Sequence, residues 1–456
     1  MRPLEELLVG VLLLGLWLLW RRDGHPRGRS WLAAAGLLVL ALHLGIEGPH
    51  WQMAPAYLAA LLLPLALLCR RRAAVCGLLV LLLAATIAST IASWMLPMFR
   101  LPAPTGSYAI GTRVLEVTNP HPVDARFAEP DGQRRLVIQV WYPAEAHGGR
   151  RAAYRRLKET ELKSTYQAVL WTHSRWNAPF AAGAAPMPVL LLNPAWGGRR
   201  TYYTYLTEEL ASHGYLVVGI DHTGNSGPTL FADGHVEKPV DGEVLDFETH
   251  TLAQLDAVAA QHLAIQADDD RFVLDELTRW NADPASPFYR RIDLTRVGAL
   301  GHSFGGAVSV ETARTDSRVK AALDMDGSFW GPHAAEALNK PLMMIEEDID
   351  NPTAEALKDP FVLNNHLLDM RDATMLAKSH ARYANLHGST HSSFTDRSLY
   401  SPLRRFSDIG SIPAYREYAI LRALTLAFFD QTLRGKASPL LDGNPHPFPE
   451  VTMTQK

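Results

Sequence analysis

The run Val297-Gly298-Ala299-Leu300-Gly301-His302-Ser303-Phe304-Gly305-Gly306 decides how the rest of the chain is read. It is a short apolar stretch that breaks into Gly301-His302-Ser303-Phe304-Gly305, the G-x-S-x-G form of a nucleophile elbow. In such a turn the serine sits at the tip between a strand and a helix. The backbone there is strained, and the positions two residues to either side must lack bulky side chains. The flanks agree: residues 296–300 read as a buried strand, and residues 306–314 carry good helix formers.

Outward from this turn, the chain is of two materials. At 456 residues it is too long for one ordinary compact domain, and its 47% hydrophobic share is unevenly spread. Residues 1–100 hold long Leu/Ala/Val runs with few charges, whereas the remainder has the mixed charge of a globular domain. A net charge of -3 argues against nucleic acid as a partner. The two cysteines, Cys69 and Cys76, both lie in the apolar part, so the globular part has neither a disulfide framework nor a cysteine metal site.

Four apolar segments occupy residues 7–20, 31–46, 51–69 and 73–99. A bilayer span needs roughly 20 apolar residues, with about 17 as the lower limit. The third and fourth meet this, and the first two fall short. Four spans are expected, with Trp17, Trp20, Trp31, Trp51 and Trp94 as interface anchors. Glu5 and Glu6, with Arg21-Arg22 behind the apolar run, make the first segment a poor signal peptide. Arg21, Arg22, Arg27 and Arg29 lie between spans one and two, and Arg70, Arg71 and Arg72 between spans three and four. The positive-inside rule puts both loops in the cytoplasm, and hence the N-terminus and the large domain outside. His43 is the main ionisable group expected within the spans. Residues 101–107 read as a Pro/Gly linker, 108–440 as the catalytic domain and 441–456 as a C-terminal tail.

In the globular part, strand-like runs fall at 108–117, 135–142, 188–193, 215–221, 297–302, 319–324, 341–346 and 381–387. The first two suit an antiparallel pair with a turn at Asp131-Gly132. The later ones alternate with helices at 202–212, 244–280, 306–314 and 415–433. Apolar strands alternating with helices mean a mostly parallel sheet covered on both faces. Eight strands with the serine turn after the fifth predict an α/β-hydrolase fold. Residues 223–243, rich in Gly and Pro, read as a loop over the site, with a plain surface excursion as the alternative.

A serine hydroxyl needs a base, and the base needs an orienting carboxylate, in the chain order Ser, acid, His for this fold. Downstream histidines are His333, His366, His380, His387 and His391. His391 lies in a Gly/Ser turn after the last strand and is preferred over His387, which ends that strand. The acid has two possible locations: Asp324 and Asp326 after the sixth strand, or Glu346, Glu347, Asp348 and Asp350 after the seventh. The oxyanion hole needs two backbone N–H donors. Phe304 supplies one. The other comes from Asn193-Pro194-Ala195-Trp196-Gly197-Gly198, where Pro194 has no N–H and either Ala195 or Trp196 must donate. His387 and His391 have helical metal-ligand spacing but lie in a Gly/Ser turn, so no metal is expected.

Residues 301–306 (GHSFGG), the 23-residue step from Ser303 to Asp326, and residues 388–396 (GSTHSSFTD) together resemble the platelet-activating factor acetylhydrolase family, isoform II type. So do VIQVWYP at 137–143, LASHGYLVVGID at 210–221 and RFVLDEL at 271–277. The resemblance covers roughly residues 108–440 and not the membrane section. It implies Ser303 as nucleophile, Asp326 as acid, His391 as base and Trp196 as the second oxyanion donor. Where the family has a His-Gly pair before that donor, this chain has Pro194-Ala195. The implied function is a membrane-anchored serine esterase that cleaves short or oxidised acyl esters, of phospholipids above all, beside a lipid bilayer and with no metal or organic cofactor. The competing expectations are a general carboxylesterase or polyester hydrolase, acyl transfer or amide cleavage on the same triad, and a membrane scaffold or sensor carrying a vestigial hydrolase domain.

Overall fold

Within the globular part, where the sequence is apolar without interruption, the chain forms the middle of a sheet. The computed structural model describes all residues except 22–25, 70–71, 125–131, 185, 240–244, 349–351, 404–407 and 443–445. The helices α1 (Pro3–Arg21), α2 (Pro26–Leu42), α3 (Ala54–Leu68) and α4 (Arg72–Met95) precede the first strands, β1 (Ala109–Asn119), β2 (Arg134–Ala144), β3 (Arg151–Ala153) and β4 (Trp171–Trp176). Then follow β5 (Met187–Asn193), α5 (Thr204–Ser212), β6 (Leu216–Asp221), the small hairpin β7 (Thr229–Leu230) and β8 (Val236–Glu237), and α6 (Leu252–Ala282). The chain continues through β9 (Ile292–His302), α7 (Phe304–Thr315), β10 (Val319–Met325), β11 (Leu342–Glu346), α8 (Pro360–Lys378), β12 (Arg382–Leu386), α9 (Ala414–Arg434) and β13 (Val451–Gln455).

The main sheet has the order β13-β12-β11-β10-β9-β5-β6-β2-β1-β4-β3. Strands β5, β6 and β9 to β12 run parallel, β1 and β2 are antiparallel, and β13 pairs antiparallel with β12. This is an α/β-hydrolase fold. All seven residues of β5 and all six of β6 are buried, as central strands covered on both faces require. All eight expected strands form, but the sheet has eleven. The additional ones are β3, β4 and β13, all outside the parallel centre. Strand β4, between β1 and the edge strand β3, buries only alternate residues at its start, so Trp171-Thr172-His173-Ser174-Arg175-Trp176 carries no apolar run to announce it. Part of the expected C-terminal tail is thus the sheet's edge. The expected helix at 244–280 begins later, at Thr251, whose hydroxyl caps it with Gln254 in a capping box. The turn expected at Asp131-Gly132 and the Arg22, Arg70 and Arg71 of the orientation reading fall on or beside residues outside the described ones.

By internal contacts the chain divides into two units that do not follow chain order. One comprises residues 1–100, 153–171 and 398–407, and the other residues 101–152, 172–397 and 408–456. In the second unit the expected linker is tied down: Thr105 N–H donates to Glu209 Oε2 at 2.9 Å and Gly106 N–H to Ser212 Oγ at 3.0 Å.

The first unit changes the expected ranking of the first three spans and keeps the fourth among the long ones. Helices over Pro3–Arg21, Gly28–Glu47 and Ala73–Met95 are long and apolar enough to cross a membrane, and Trp51–Leu67 is the shorter one. Helices one and two outrun their apolar cores because Pro3-Leu4-Glu5-Glu6 forms the first turn of α1, and His43–Glu47 extends α2 as a π-turn. The third loses Trp51–Met53 to a 3₁₀ turn. Small residues let these helices approach: a Cβ on Gly15 of α1 would meet the Leu63 side chain of α3 at 2.8 Å.

The charge of this unit also differs from expectation. Glu5, His43 and His50 are all buried. Glu5 accepts from His50 Nδ1 at 2.8 Å and from Arg2 Nε at 2.9 Å. His43 bonds Glu47 at 2.9 Å and the Tyr57 hydroxyl at 2.6 Å. Arg2 also donates to the carbonyls of Glu47 and Gly48. This clasp joins the start of α1 to the segment between α2 and α3. Residues far apart in sequence supply it, so no local charge run reveals it. In the same unit Phe99 lies between Tyr154, edge-on at 5.2 Å, and Tyr400, stacked at 5.3 Å.

Candidate active site

Parallel strands deliver the candidate residues as a staircase. The Ser303 N–H donates to the Met325 carbonyl at 2.9 Å, and the Asp326 N–H to the Ile345 carbonyl at 2.7 Å. Each residue therefore leaves its strand one step along the sheet, at the carboxyl end where such folds hold ligands. Both have left-handed backbone, with φ of 57° at Ser303 and 57° at Asp326. At the elbow, Gly301 packs on the Gly305 carbonyl and Gly305 on the Asn193 carbonyl, so any Cβ at either position would collide with backbone. That close approach brings the elbow against the Asn193–Gly198 turn.

His391 opens a short 3₁₀ turn, His391–Phe394, after β12. Its Nδ1 lies 2.6 Å from Asp326 Oδ2. Because a carboxylate accepts, Nδ1 carries the proton and Nε2 keeps its lone pair. The other oxygen of Asp326 accepts from the Glu347 N–H at 2.7 Å. Burial pulls the His391 pKa down, but the Asp326 carboxylate, with Glu347 and Asp408, outweighs it and leaves the ring above the ordinary histidine value. The turn is braced from behind: buried Glu417 accepts from Ser389 Oγ at 2.8 Å and Ser393 Oγ at 2.7 Å.

In the opposing turn, the Ala195 N–H donates to the Tyr203 hydroxyl at 3.0 Å, and the Ala195 carbonyl accepts from Gly198 at 2.7 Å. The Ala195 N–H is thereby spent on Tyr203. The Trp196 ring packs edge-on against Phe304 at 4.9 Å and His262 at 4.4 Å.

The other carboxylates have separate surroundings. Asp324 is fully buried where the chain has Gly306 and Gly327 beside it. Burial, followed by the Asp372, Glu346 and Asp326 carboxyls, pushes it well above the usual range. Burial likewise raises Glu346 to about 8 and Glu347 to about 7. Asp348 accepts from His387 Nδ1 at 2.7 Å, and His387 Nε2 bonds Thr452 of β13 at 2.7 Å, so the rival histidine joins the sheet edge to a loop. Asp350 lies outside the described residues. Asp326 differs from Asp324 because its left-handed backbone turns it away from the strand.

Ser303, Asp326, His391, Trp196 and Phe304 all line one cavity of about 910 Å³. Its walls include the aromatic Phe247, Trp330 and Phe361, and the acidic Glu346, Glu347 and Asp369. Leu245 and Phe247 reach it, whereas the described residues of the 223–243 loop are not among its lining. Helix α8, which supplies Phe361, Val362, Asn365, His366 and Asp369, was not foreseen; Pro360 at its first turn and the capping Asp359 were the available signals.

One participant was hidden inside the motif itself. His302, fully buried, has Nε2 2.8 Å from the His391 carbonyl and Nδ1 3.1 Å from the Tyr203 hydroxyl. His302, Asp326 and His391 bring one ligand-type atom each within 4.8 Å of one another. Both ring nitrogens of His302 are already used, so the group reads as a hydrogen-bond chain.

Known proteins resemble the chain in two overlapping stretches. A family model described as platelet-activating factor acetylhydrolase, isoform II, matches residues 95–267, and one described as PET hydrolase-like matches residues 245–410. A probable 1-alkyl-2-acetylglycerophosphocholine esterase of Arthroderma benhamiae is 24% identical over 409 residues, 81% of this chain and 97% of that protein. The platelet-activating factor acetylhydrolase of Cavia porcellus is 22% identical over 320 residues, 65% of this chain and 69% of its own length. Among solved structures, a ferulic acid esterase from Streptomyces cinnamoneus is 30% identical with a TM-score of 0.63, covering 79% of this chain and 100% of that one.

Proposed function

We propose, for a chain that belongs to the platelet-activating factor acetylhydrolase family, isoform II, and is a carboxylic ester hydrolase, that it is a membrane-anchored serine esterase using Ser303, His391 and Asp326. The observation that carries this is the 2.6 Å His391–Asp326 bond opening on the same cavity as the strained Ser303. His391 Nε2 takes the Ser303 hydroxyl proton as the serine oxygen attacks the ester carbonyl. The N–H groups of Phe304 and Trp196 stabilise the oxyanion. His391 returns the proton to the departing alcohol, leaving an acyl-serine. Water, deprotonated by the same imidazole, releases the acid. Asp326 keeps the ring in the working tautomer and offsets the imidazolium charge.

The substrate we propose is an ester with a short or oxidised acyl chain on a phospholipid. The helical unit supports a substrate drawn from a bilayer. Both arginine loops lie in the cytoplasm only if the shorter helix at Trp51–Leu67 also crosses, which makes four spans and leaves the hydrolase unit outside. A second reading, an ester with an aromatic acyl group, is favoured by Phe247, Trp330 and Phe361 in the cavity wall and by the likeness to a ferulic acid esterase.

The test is a series of p-nitrophenyl esters on the full chain in detergent, with Ser303→Ala as control and methyl ferulate as an added substrate. Preference for acetyl over octanoyl supports the short-acyl pocket. Faster turnover of the ferulate supports the aromatic reading, and preference for long chains defeats both. Failure of folded wild type to label with an organophosphonate at Ser303 overturns the triad.

A further inference from the structure

The elbow histidine His302 and the buried tyrosine Tyr203 form a bridge between two loops that catalysis needs in register. We propose that Tyr203 and His302 are positioning residues that lock the oxyanion turn at Ala195-Trp196 to the His391 loop; this rests on the triad assigned above.

The direction of every bond in the bridge follows from elementary donor rules. The His391 carbonyl only accepts, so His302 Nε2 carries the proton at 2.8 Å. Neutral imidazole has one N–H, so His302 Nδ1 accepts, and the Tyr203 hydroxyl donates to it at 3.1 Å. The Tyr203 oxygen then has a lone pair for the Ala195 N–H at 3.0 Å. The chain is Ala195 to Tyr203 to His302 to the His391 backbone, with each hydrogen bond used once. Both side chains are buried, with Tyr203 at 0% and His302 at 2% exposure, so water does not replace these bonds. Burial first, and then His391, hold the His302 pKa well below the ordinary value, so the ring stays neutral and the directions persist. Stacking holds the ring as well: its centroid lies 4.7 Å from that of His391 and 5.8 Å from that of Phe394.

The consequence is mechanical. Ser303 follows His302 directly, so one residue sets the spacing of nucleophile, base loop and oxyanion turn. Pinning the Ala195 N–H to Tyr203 also removes it as a competing oxyanion donor and fixes the turn that carries the next amide, that of Trp196, a residue of the cavity wall. Misplacement by about 1 Å in such a constellation costs on the order of 10²-fold in rate.

The test uses the full chain in detergent and p-nitrophenyl acetate. Tyr203→Phe keeps the buried ring and removes the hydroxyl. His302→Gln keeps an N–H for the His391 carbonyl and has no acceptor at the ring's Nδ1 position, where the Tyr203 hydroxyl bonds. Each is expected to lower kcat by about tenfold with KM unchanged, and to lower the thermal midpoint modestly while the chain stays folded. Because both remove the same bond, the double variant is expected to be no slower than Tyr203→Phe alone. Losses that multiply, or that fall only on KM, overturn the bridge while leaving the triad intact if wild type still labels with organophosphonate at Ser303. A folded wild type that does not label overturns the triad and the bridge together. Should His302→Gln not fold, Tyr203→Phe decides: its rate of phosphonate labelling must fall in step with kcat, and an unchanged rate overturns the proposal.

Discussion

The two units bury opposite things. In the helical unit Trp31, Trp20 and Val80 are exposed at 76%, 71% and 70%, while Glu5, His43 and His50 are sealed inside. In the sheet unit the apolar strands are sealed, and the Asp326 carboxylate and the His391 imidazole gather at strand ends beside an open cavity. An outward apolar face is stable when the solvent is hydrocarbon, because there the inward polar groups have only one another as partners. The inverse arrangement suits water. The contrast is what the proposed division, anchoring in one unit and chemistry in the other, requires.

The sharpest way to break that separation is to remove the chemistry. Ser303→Ala is expected to lower kcat/KM by about 10⁴ to 10⁶-fold while the chain stays in the membrane fraction, read by ester turnover and fractionation of the same preparation. Next in size, Asp326→Asn is expected to cost about 10⁴-fold in kcat through the wrong imidazole tautomer. Asp324→Asn, which replaces a fully buried acid that makes no hydrogen bond to His391 and whose pKa burial pushes well above the usual range, is expected to cost less than about tenfold. Equal losses at the two sites would mean that the acid is misassigned.

From the other side, Val80→Arg puts a charge on the outward face of α4. At the centre of a span this costs about 2.5–3.5 kcal/mol of insertion. The membrane-retained fraction is expected to drop, with kcat per folded molecule unchanged. Unchanged retention would remove the reason for treating that face as lipid-facing.

The smallest effects are those of pH. His391 sits above its ordinary value of 6.5, so the acid limb of kcat/KM is expected to have its midpoint above pH 6.5. Glu346 and Asp372 are both raised to about 8 by burial, and Glu347 to about 7. Between the ordinary carboxylate range and pH 8 the folded chain holds protons that the unfolded chain has lost. Stability therefore falls as pH rises through that window. Scanning calorimetry from pH 5 to 8 is expected to show a declining midpoint, and Glu346→Gln is expected to flatten the slope.

Much of the sheet was legible because buried parallel strands are apolar without interruption, as at Val189-Leu190-Leu191-Leu192 and Val217-Val218. The elbow was legible because glycines two residues to either side of a serine are a steric requirement written locally. Strand β4, next to the edge, and the edge strand β13 were not, because neither is buried throughout. The clasp of Arg2, Glu5, His43, Glu47 and His50 was also invisible, since its members lie up to 48 positions apart.

By itself, then, the sequence determined the class of sheet, the serine turn, an apolar helical section and the residue types available for acid and base. The family-like motifs pointed to Asp326 and His391, but which carboxylate a histidine meets is set by the tertiary structure. The reason is geometric: Asp324 and Asp326 are two positions apart on one strand end, and only the left-handed backbone at Asp326 turns its carboxylate to His391. The role of His302 was likewise outside any local pattern, because its partners, Tyr203 and the His391 carbonyl, lie 99 and 89 residues away. Local spacing sets what a turn can be. Which groups share the one low-dielectric pocket depends on the packing of strands that are distant in the chain.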